Sequence, residues 1–318
     1  MRTATDLARS ALKGATAPLA MFSTPKKEAL DYWVNHRFPP SSIYQISFRA
    51  ADGCNLRCKT CHFSLDYRKG QKTLLMDPEL VREVVDTTKG HVNLMSFSAS
   101  GEPLINPEID KMVGYASSAG IRTKVGTNVM LLTPDMSKRL LDAGLSILKV
   151  SIDGATKETY ETVRVGASFE KLRDHLEEFR RLRDKRGAKT KIVINTVITN
   201  DNHFEVEMVK EVFAHIGDKF AAKPLTNFGI MKARCDYSPS TLTEQKCSQL
   251  VKRMTILTDG RATICCGDNQ NIGVVGNVKE TSALEVWNSD LYNKWRGYHR
   301  TGQTQHIPLC KDCVFGGA

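Results

Sequence analysis

From Ile43 onward the chain alternates short β-branched runs with longer stretches of helical period, and that alternation constrains the fold more than any other feature. Ile43–Arg49, Val92–Ser98, Arg122–Thr127, Leu148–Ile152 and Lys191–Ile198 read as strands, with a weaker one at Phe228–Lys232. Helices are expected between them, over Pro78–Thr88, Pro107–Ala119, Pro134–Ala143, Phe169–Lys185 and Phe204–His215. Proline opens the second and third of these, with Gly120 and Gly144 just past their ends, and Gly187 ends the long fourth helix. About six β/α units in succession imply a parallel sheet with right-handed crossovers. The expected class is α/β, as a partial (β/α)6 TIM-like barrel, with a doubly wound sheet as the other arrangement that fits the count. In either, ligands bind at the carboxyl ends of the strands.

The pattern changes after residue 234. Residues 235–245 read as a linker. Met254–Leu257 and Ala262–Cys265 then flank a turn at Thr258-Asp259-Gly260-Arg261, a helix follows around Ser282–Trp295, and a loop runs to Cys310. The expected division is an extension over 1–39, the barrel over 40–234 and a small C-terminal α+β domain over 235–318. Residues 1–25 carry Arg2, Arg9 and Lys13 against the single acid Asp6, a faint likeness to an organelle transit peptide. They hold no apolar core of a secretion signal, and a short N-terminal extension is the expected reading.

Nine cysteines (54, 58, 61, 235, 247, 265, 266, 310 and 313) make an odd count in a 318-residue chain too long to need disulfide staples. That argues for a reducing, cytoplasmic setting in which clustered thiols bind metal or do redox chemistry. With 41% hydrophobic and 25% charged residues the chain is an ordinary globular one, not a disordered one. No run approaches the ~20 apolar residues of a membrane span. The net charge of +10 favours an anionic partner or substrate without choosing among nucleic acid, phosphate and acidic lipid. A generally basic surface accounts for it equally well.

Cys54-Asn-Leu-Arg-Cys58-Lys-Thr-Cys61 follows directly on the first strand, with C-x3-C-x2-C spacing. Three thiolates this close suit three irons of a cubane and leave the fourth iron without a protein ligand. An open coordination position binds small molecules, as at a catalytic zinc. The bacterial ferredoxin run has different spacing. Zinc with His62 as fourth ligand is an alternative, although adjacent ligands strain a tetrahedral site, and unligated core cysteines are another.

On these residues the chain resembles the radical S-adenosylmethionine (SAM) superfamily, over roughly residues 40–318. The resemblance implies that the open iron chelates the amino and carboxylate groups of SAM. It also implies that reduction cleaves SAM to a 5′-deoxyadenosyl radical, which abstracts a substrate hydrogen. It carries over further positions at successive strand ends. Gly101-Glu102-Pro103 resembles the motif that meets the SAM amino group. Asn128, after Thr127, lies at the end of the third strand. Ser151 and Asp153, before Gly154, match contacts to the ribose or methionyl part. Arg164 resembles a partner of the SAM carboxylate, and Asn195 one of adenine or ribose. Taken alone, each of these short motifs is more often a turn. Thr60 stands where the family commonly has an aromatic residue.

Cys247, Cys265, Cys310 and Cys313, with Gly260, Gly276-Asn277-Val278 and Trp287, resemble the twitch domain, the one-cluster form of the SPASM extension. The spacing is similar to that of aminocyclitol dehydrogenases of the superfamily, and the two-cluster form would need further cysteines downstream. Cys265 and Cys266 are adjacent in a predicted strand, so their side chains are expected on opposite faces. Cys265 is assigned as the ligand from its spacing to Gly260. Structural zinc on the same four thiolates is the alternative. The resemblance thus implies two 4Fe–4S clusters and SAM as cofactors.

One radical-generating cluster and one closed cluster suit net oxidation of a secondary alcohol on a sugar or aminocyclitol-like small molecule, with the second cluster taking the electron. Asp268, Arg234 and Lys232 are candidate bases by location, and a helix-cap or turn role for Asp268 is equally open. The rival chemistry is epimerisation, with Cys235 or Cys266 giving a hydrogen atom, while buried inert thiols remain the default. Peptide maturation and a metal-organised binding protein are the other readings. A flavodoxin or ferredoxin-type reductant is the expected protein partner; neither membrane nor nucleic acid is expected.

Overall fold

The structure, a computed structural model, describes residues 42–61, 72–225, 247–311 and 313. Six strands, β1 (Ile43–Phe48), β2 (Val92–Phe97), β3 (Arg122–Thr127), β4 (Ile147–Ser151), β5 (Lys191–Ile198) and β6 (Lys219–Pro224), lie side by side in chain order. All five pairings are parallel. Between them run α1 (Pro78–Thr88), α2 (Ile109–Ser118), α3 (Pro134–Asp142), α4 (Lys157–Val163), α5 (Phe169–Lys185) and α6 (Val206–Val212). Their starts follow from local chemistry: the side chains of Asp77, Thr133, Thr156 and Ser168 each accept a hydrogen bond from a backbone N–H of the first turn. Leu80, Val81, Val84 and Val85 of α1 are buried at helical spacing, as are Leu172, Leu176, Phe179 and Leu182 of α5. These stripes meet the outward faces of the strands, where Ile46, Val125, Leu148 and Ile192 are fully buried. The result is the expected partial (β/α)6 TIM-like barrel.

Two departures have local causes. Helix α4 was not anticipated, because only Tyr160 and Val163 of its seven residues are buried and the rest of the run is polar. The sixth strand is Lys219–Pro224; the expected Phe228–Lys232 lies outside the described residues. Strand β6 pairs on one side only and has no fully buried residue, so it lacks the apolar run of an inner strand.

The C-terminal segment continues the same sheet. After α7 (Gln249–Lys252), β7 (Arg253–Ile256) pairs in parallel with β1, from Gln45↔Arg253 to Phe48↔Ile256. Strands β8 (Arg261–Thr263) and β9 (Val274–Asn277) then add antiparallel, giving nine strands in one sheet. The expected 234/235 boundary and linker lie outside the described residues. The expected turn before β8 is present, with Gly260 at φ +96°. The single helix expected over 282–295 is two, α8 (Ala283–Trp287) and α9 (Asp290–Arg300). Ser289 leaves the helix at ψ 153°, and its hydroxyl accepts from the Tyr292 N–H to start the second.

Arg296 braces this region. Its guanidinium lies 4.0 Å from the centroids of both Trp287 and Tyr292, donates through Nε to the Leu250 carbonyl at 3.0 Å, and through Nη1 to that of Trp287 at 2.7 Å. No helix among the described residues is long and apolar enough to cross a membrane. Arg296→Ala strips two carbonyls of their donor and opens a void between two rings. It is expected to lower the unfolding free energy by about 3 kcal/mol or more, read as a shift in the urea midpoint.

Candidate functional site

The first cysteine loop leaves the carboxyl end of β1 and is clamped from the far side of the barrel. The Arg57 N–H donates to the Val165 carbonyl at 2.9 Å and the Lys59 N–H to that of Val163 at 3.0 Å, so the end of α4 fixes the loop's path. Within it the Leu56 N–H points at the Cys54 sulfur at 3.4 Å. Asn128 Nδ2, from the end of β3, donates to Asn55 Oδ1 at 2.8 Å and approaches the Cys54 sulfur at 3.9 Å. Arg164 Nη1 lies 4.0 Å from the Cys58 sulfur. Burial pushes the Cys54 thiol up to about 12, with Glu102, Cys61 and Cys58 adding to it. Burial also raises Cys58, against the field of Arg164. Three thiols within one another's fields, with backbone and side-chain donors aimed at sulfur, form a site that a bound cation relieves. That donor set fits an iron cluster held by thiolates. His62 lies outside the described residues.

The loops after β2, β3 and β4 close around it. Gly101, at φ +67°, presses on the cysteine loop: a Cβ there would sit 2.5 Å from the Ala51 carbonyl oxygen and 2.7 Å from that of Gly53. Glu102 follows, fully enclosed. Its carboxylate accepts from Thr127 Oγ1 at 2.7 Å, the Asn128 N–H at 2.8 Å and the Leu104 N–H at 3.1 Å, and so caps the short turn that begins at Pro103. Burial pushes it up to about 6 in spite of these donors. Val129, beside Asn128, is buried at φ +75°, a conformation that costs a β-branched residue about 1–3 kcal/mol. It is held there by Thr127 Oγ1 on its N–H and His175 Nδ1 on its carbonyl.

Asp153 and Arg164 are brought together, but with each other: Oδ2 and Nη2 lie 2.7 Å apart, and Asp153 Oδ1 accepts from the Val197 N–H at 2.8 Å. Both are buried, so this ion pair braces the loop after β4. Glu205 anchors the same loop, accepting from the Ala155 and Thr156 N–H groups and from the hydroxyls of Thr156 and Thr159. Ser151 and Asn195 are paired in register across β4 and β5, on the inward faces of their strands.

The second cysteine set gathers beside β8. Cys310 and Cys247 both feel Cys313, and Cys265 feels Cys247. Burial raises Cys247 to about 11 and Cys310 to about 12. The face-alternation argument for Cys265 over Cys266 does not hold, because β8 ends at Thr263 and both cysteines lie in the turn beyond it. A different feature separates them. The Gly267 N–H points at the Cys265 sulfur at 3.3 Å, as the Gln249 N–H does at Cys247 at 3.5 Å and the Leu56 N–H at Cys54. Cys266 is drawn down by Cys265 beside it and by the charges of Arg253 and Lys124.

Asp268 is no free base. It is fully buried, and its carboxylate accepts from Thr263 Oγ1 at 2.6 Å, the Gly273 N–H at 2.9 Å and the Ile272 N–H at 3.0 Å. Three donors hold it as the brace of its own loop. Arg234, Cys235 and Lys232 lie outside the described residues. Sequence reasoning missed Arg49 and Ser100, which join the two cysteine loops. Arg49 Nη2 donates to the Asp268 carbonyl at 2.7 Å, and Ser100 Oγ contacts the Cys266 carbonyl at 3.2 Å and Asn269 Oδ1 at 2.6 Å.

Comparison with known proteins decides what this arrangement is. Residues 49–212 match the model of the radical SAM superfamily, and residues 247–314 that of the SPASM iron-sulfur cluster-binding domain. The chain belongs to the radical SAM superfamily. Radical SAM membership brings SAM and iron–sulfur clusters as cofactors, two 4Fe–4S clusters in this combination. An AdoMet-dependent heme synthase of Methanosarcina barkeri is 30% identical over 175 residues, 54% of this chain and 47% of the relative. A tungsten-containing aldehyde ferredoxin oxidoreductase cofactor-modifying protein of Pyrococcus furiosus is 22% identical over 309 residues, 82% of this chain and 84% of the relative. The chain thus spans less than half the length of the heme synthase. Among solved structures, BtrN in complex with AdoMet and 2-DOIA superposes with TM-score 0.60 at 20% identity, covering 85% of this chain and 92% of that one. Streptococcus suis SuiB bound to S-adenosylmethionine superposes with TM-score 0.67 at 14% identity, covering 92% and 76%. At these identities the likeness shows the fold.

The Glu205 anchor generates a pH-dependent prediction. Burial alone would raise this carboxyl, but its hydrogen bonds outweigh burial and hold it below the ordinary carboxylate range. The stability it contributes is complete above its unfolded value and is lost as pH falls through the folded one. Glu205→Gln is expected to cost about 1–3 kcal/mol at pH 7. The gap to wild type should narrow on acidification, read by urea unfolding at stepped pH.

Proposed function

We propose that this radical SAM enzyme is an oxidoreductase that converts a secondary alcohol of a sugar or cyclitol-like small molecule to a carbonyl. The observation that carries the reading is the second cysteine set. Four thiols, Cys247, Cys265, Cys310 and Cys313, leave a bound cluster no open position, and its loop is tied by Arg49 and Ser100 to the loops at the top of the barrel. When bound, SAM with the first cluster would supply a carbon-centred radical that takes a substrate hydrogen, the closed second cluster would take the remaining electron, and the hydroxyl proton would leave to water. Cys54, Cys58 and Cys61 hold the first cluster. The backbone of Gly101 to Pro103, the Glu102 carboxylate, Asn128, Ser151 and Asn195 bind SAM. The Asp153–Arg164 pair positions the loop between them. A flavodoxin or ferredoxin-type protein in the cytoplasm delivers the electron that starts each turnover.

A second reading is epimerisation with Cys266 as hydrogen donor. Its thiol shares a neighbourhood with Lys124 and Lys149 of the barrel interior. Full-length protein reconstituted anaerobically is expected to hold about eight irons and to cleave SAM on reduction. Cys265→Ser should lower the iron to about four, whereas Cys266→Ser should keep it near eight. With phosphorylated and free sugars as substrates, a product lighter by two hydrogens supports oxidation. Solvent deuterium in a product of unchanged hydrogen count, abolished in Cys266→Ser, supports epimerisation instead. Bound zinc with intact SAM would refute both.

A further inference from the structure

The barrel interior carries positive charge that nothing in the reading above uses. On β3, Thr123 and Val125 are fully buried on the helix side, so Lys124 and Gly126 face inward. On β4, Leu148 and Val150 are buried in the same way, which turns Lys149 and Ser151 inward. Lys149 on β4 acts electrostatically on Arg253 of β7, four strands away along the sheet, and Lys124 on Lys223 of β6, three strands away. The register sets Lys223 opposite Val197 and Arg253 opposite Gln45, on the same inward face, so these fields act across the lumen. Cys266 reaches the same space from the loop after β8.

Among the described residues no carboxylate forms an ion pair with Lys124, Lys149, Lys223 or Arg253. Asp153, the carboxylate that acts on Lys149, is already paired with Arg164. Glu102 is saturated by its three donors. Burial and the neighbouring cations push Lys124 down to about 7 and lower Lys149 as well, the signature of like charges gathered away from water. A group of cations held together in a concave interior is what an anion needs.

We propose that the lumen binds an anionic substrate, whose phosphate or carboxylate group is held by Lys124 and Lys149 with Lys223 and Arg253 behind them. This rests on reading the lumen as the substrate chamber, and it narrows the proposed substrate. A phosphorylated or carboxylated sugar fits.

The test uses the reconstituted full chain and two probes, inorganic pyrophosphate and citrate, titrated separately by calorimetry. Binding of either that is weakened by Lys124→Met and Lys149→Met and not by Lys191→Met supports the proposal; tighter pyrophosphate points to a phosphorylated substrate and tighter citrate to a carboxylated one. Lys124→Met and Lys149→Met should each weaken the preferred probe about tenfold, and Lys124→Arg should restore most of the affinity. A second basic cleft, a cavity of about 480 Å³ at the amino ends of the strands, provides the control through Lys191, which lines it with Arg122, Lys189 and Lys219. Lys191→Met should leave the affinity unchanged. Absence of binding by both probes overturns the proposal. So does affinity lost in Lys191→Met and kept in Lys124→Met. If Lys124→Met does not fold, Lys124→Arg and Lys149→Gln carry the comparison. SAM cleavage on the same preparation separates the two readings. Anion binding without cleavage refutes the oxidation and leaves this site standing; cleavage without anion binding does the reverse.

Discussion

Arg49 sits where the two cysteine loops meet, and its burial is the constraint on which the rest of the site depends. It is the first residue after β1, so its backbone is fixed by the sheet: its N–H donates to the Ile256 carbonyl of β7 and its carbonyl accepts from Thr258. Its side chain crosses to the Asp268 carbonyl. A guanidinium is expensive to bury without partners, and here, besides the Asp52 carboxylate, they belong to the loop that follows Cys265 and Cys266. Strand β7 alone would align the two halves of the sheet. Arg49 and Ser100 also fix the height of one cysteine loop above the other. A separation set by the rigid sheet, not by a hinge between modules, suits a reaction in which an electron leaves one site for another.

The barrel end of the site is organised by crowding more than by attraction. Cys54 and Cys58 are buried together beside Glu102 and the Asp153–Arg164 pair. In the absence of a cation this is a costly group of acids, and burial drives the two thiols and the carboxyl toward their neutral forms. The backbone around them is arranged so that the cost does not relax. Gly101 has no room for a side chain, Val129 is held in a left-handed conformation, and Glu205 anchors the loop that carries Asp153. Strain and burial of this kind persist only where the surrounding structure over-determines them.

The sequence exposes the barrel well because its signals are local. Pro78–Thr88 and Phe169–Lys185 end where proline, caps and glycine place them, and five of the six inner strands are legible as β-branched runs. What it conceals is whatever depends on the far side of the molecule. Strand β6 is half-buried at an edge and carries Lys219 and Lys223, so nothing in its composition marks it. The pairing of β7 with β1 joins residues over 200 positions apart, and no local pattern encodes it. The same holds at the site. The strand-end motifs find Glu102, Asn128 and the cysteines, whose chemistry shows in the residue types. They leave Asp268 open, because an aspartate beside cysteines looks the same whether it faces a ligand or is saturated by its own loop. Arg49, Lys124 and Lys149 carry no local mark of their roles, because what they meet comes from distant parts of the chain.

Those two lysines connect the substrate question to the cofactor question. Thiolates are anions, and so is a cluster held by four of them. Lys124 and Arg253 both act on Cys266, next to Cys265. On the proposed reading, positive charge in the lumen serves an anionic substrate and also makes the adjoining cysteine loop more tolerant of negative charge, so substrate and second site draw on the same lysines.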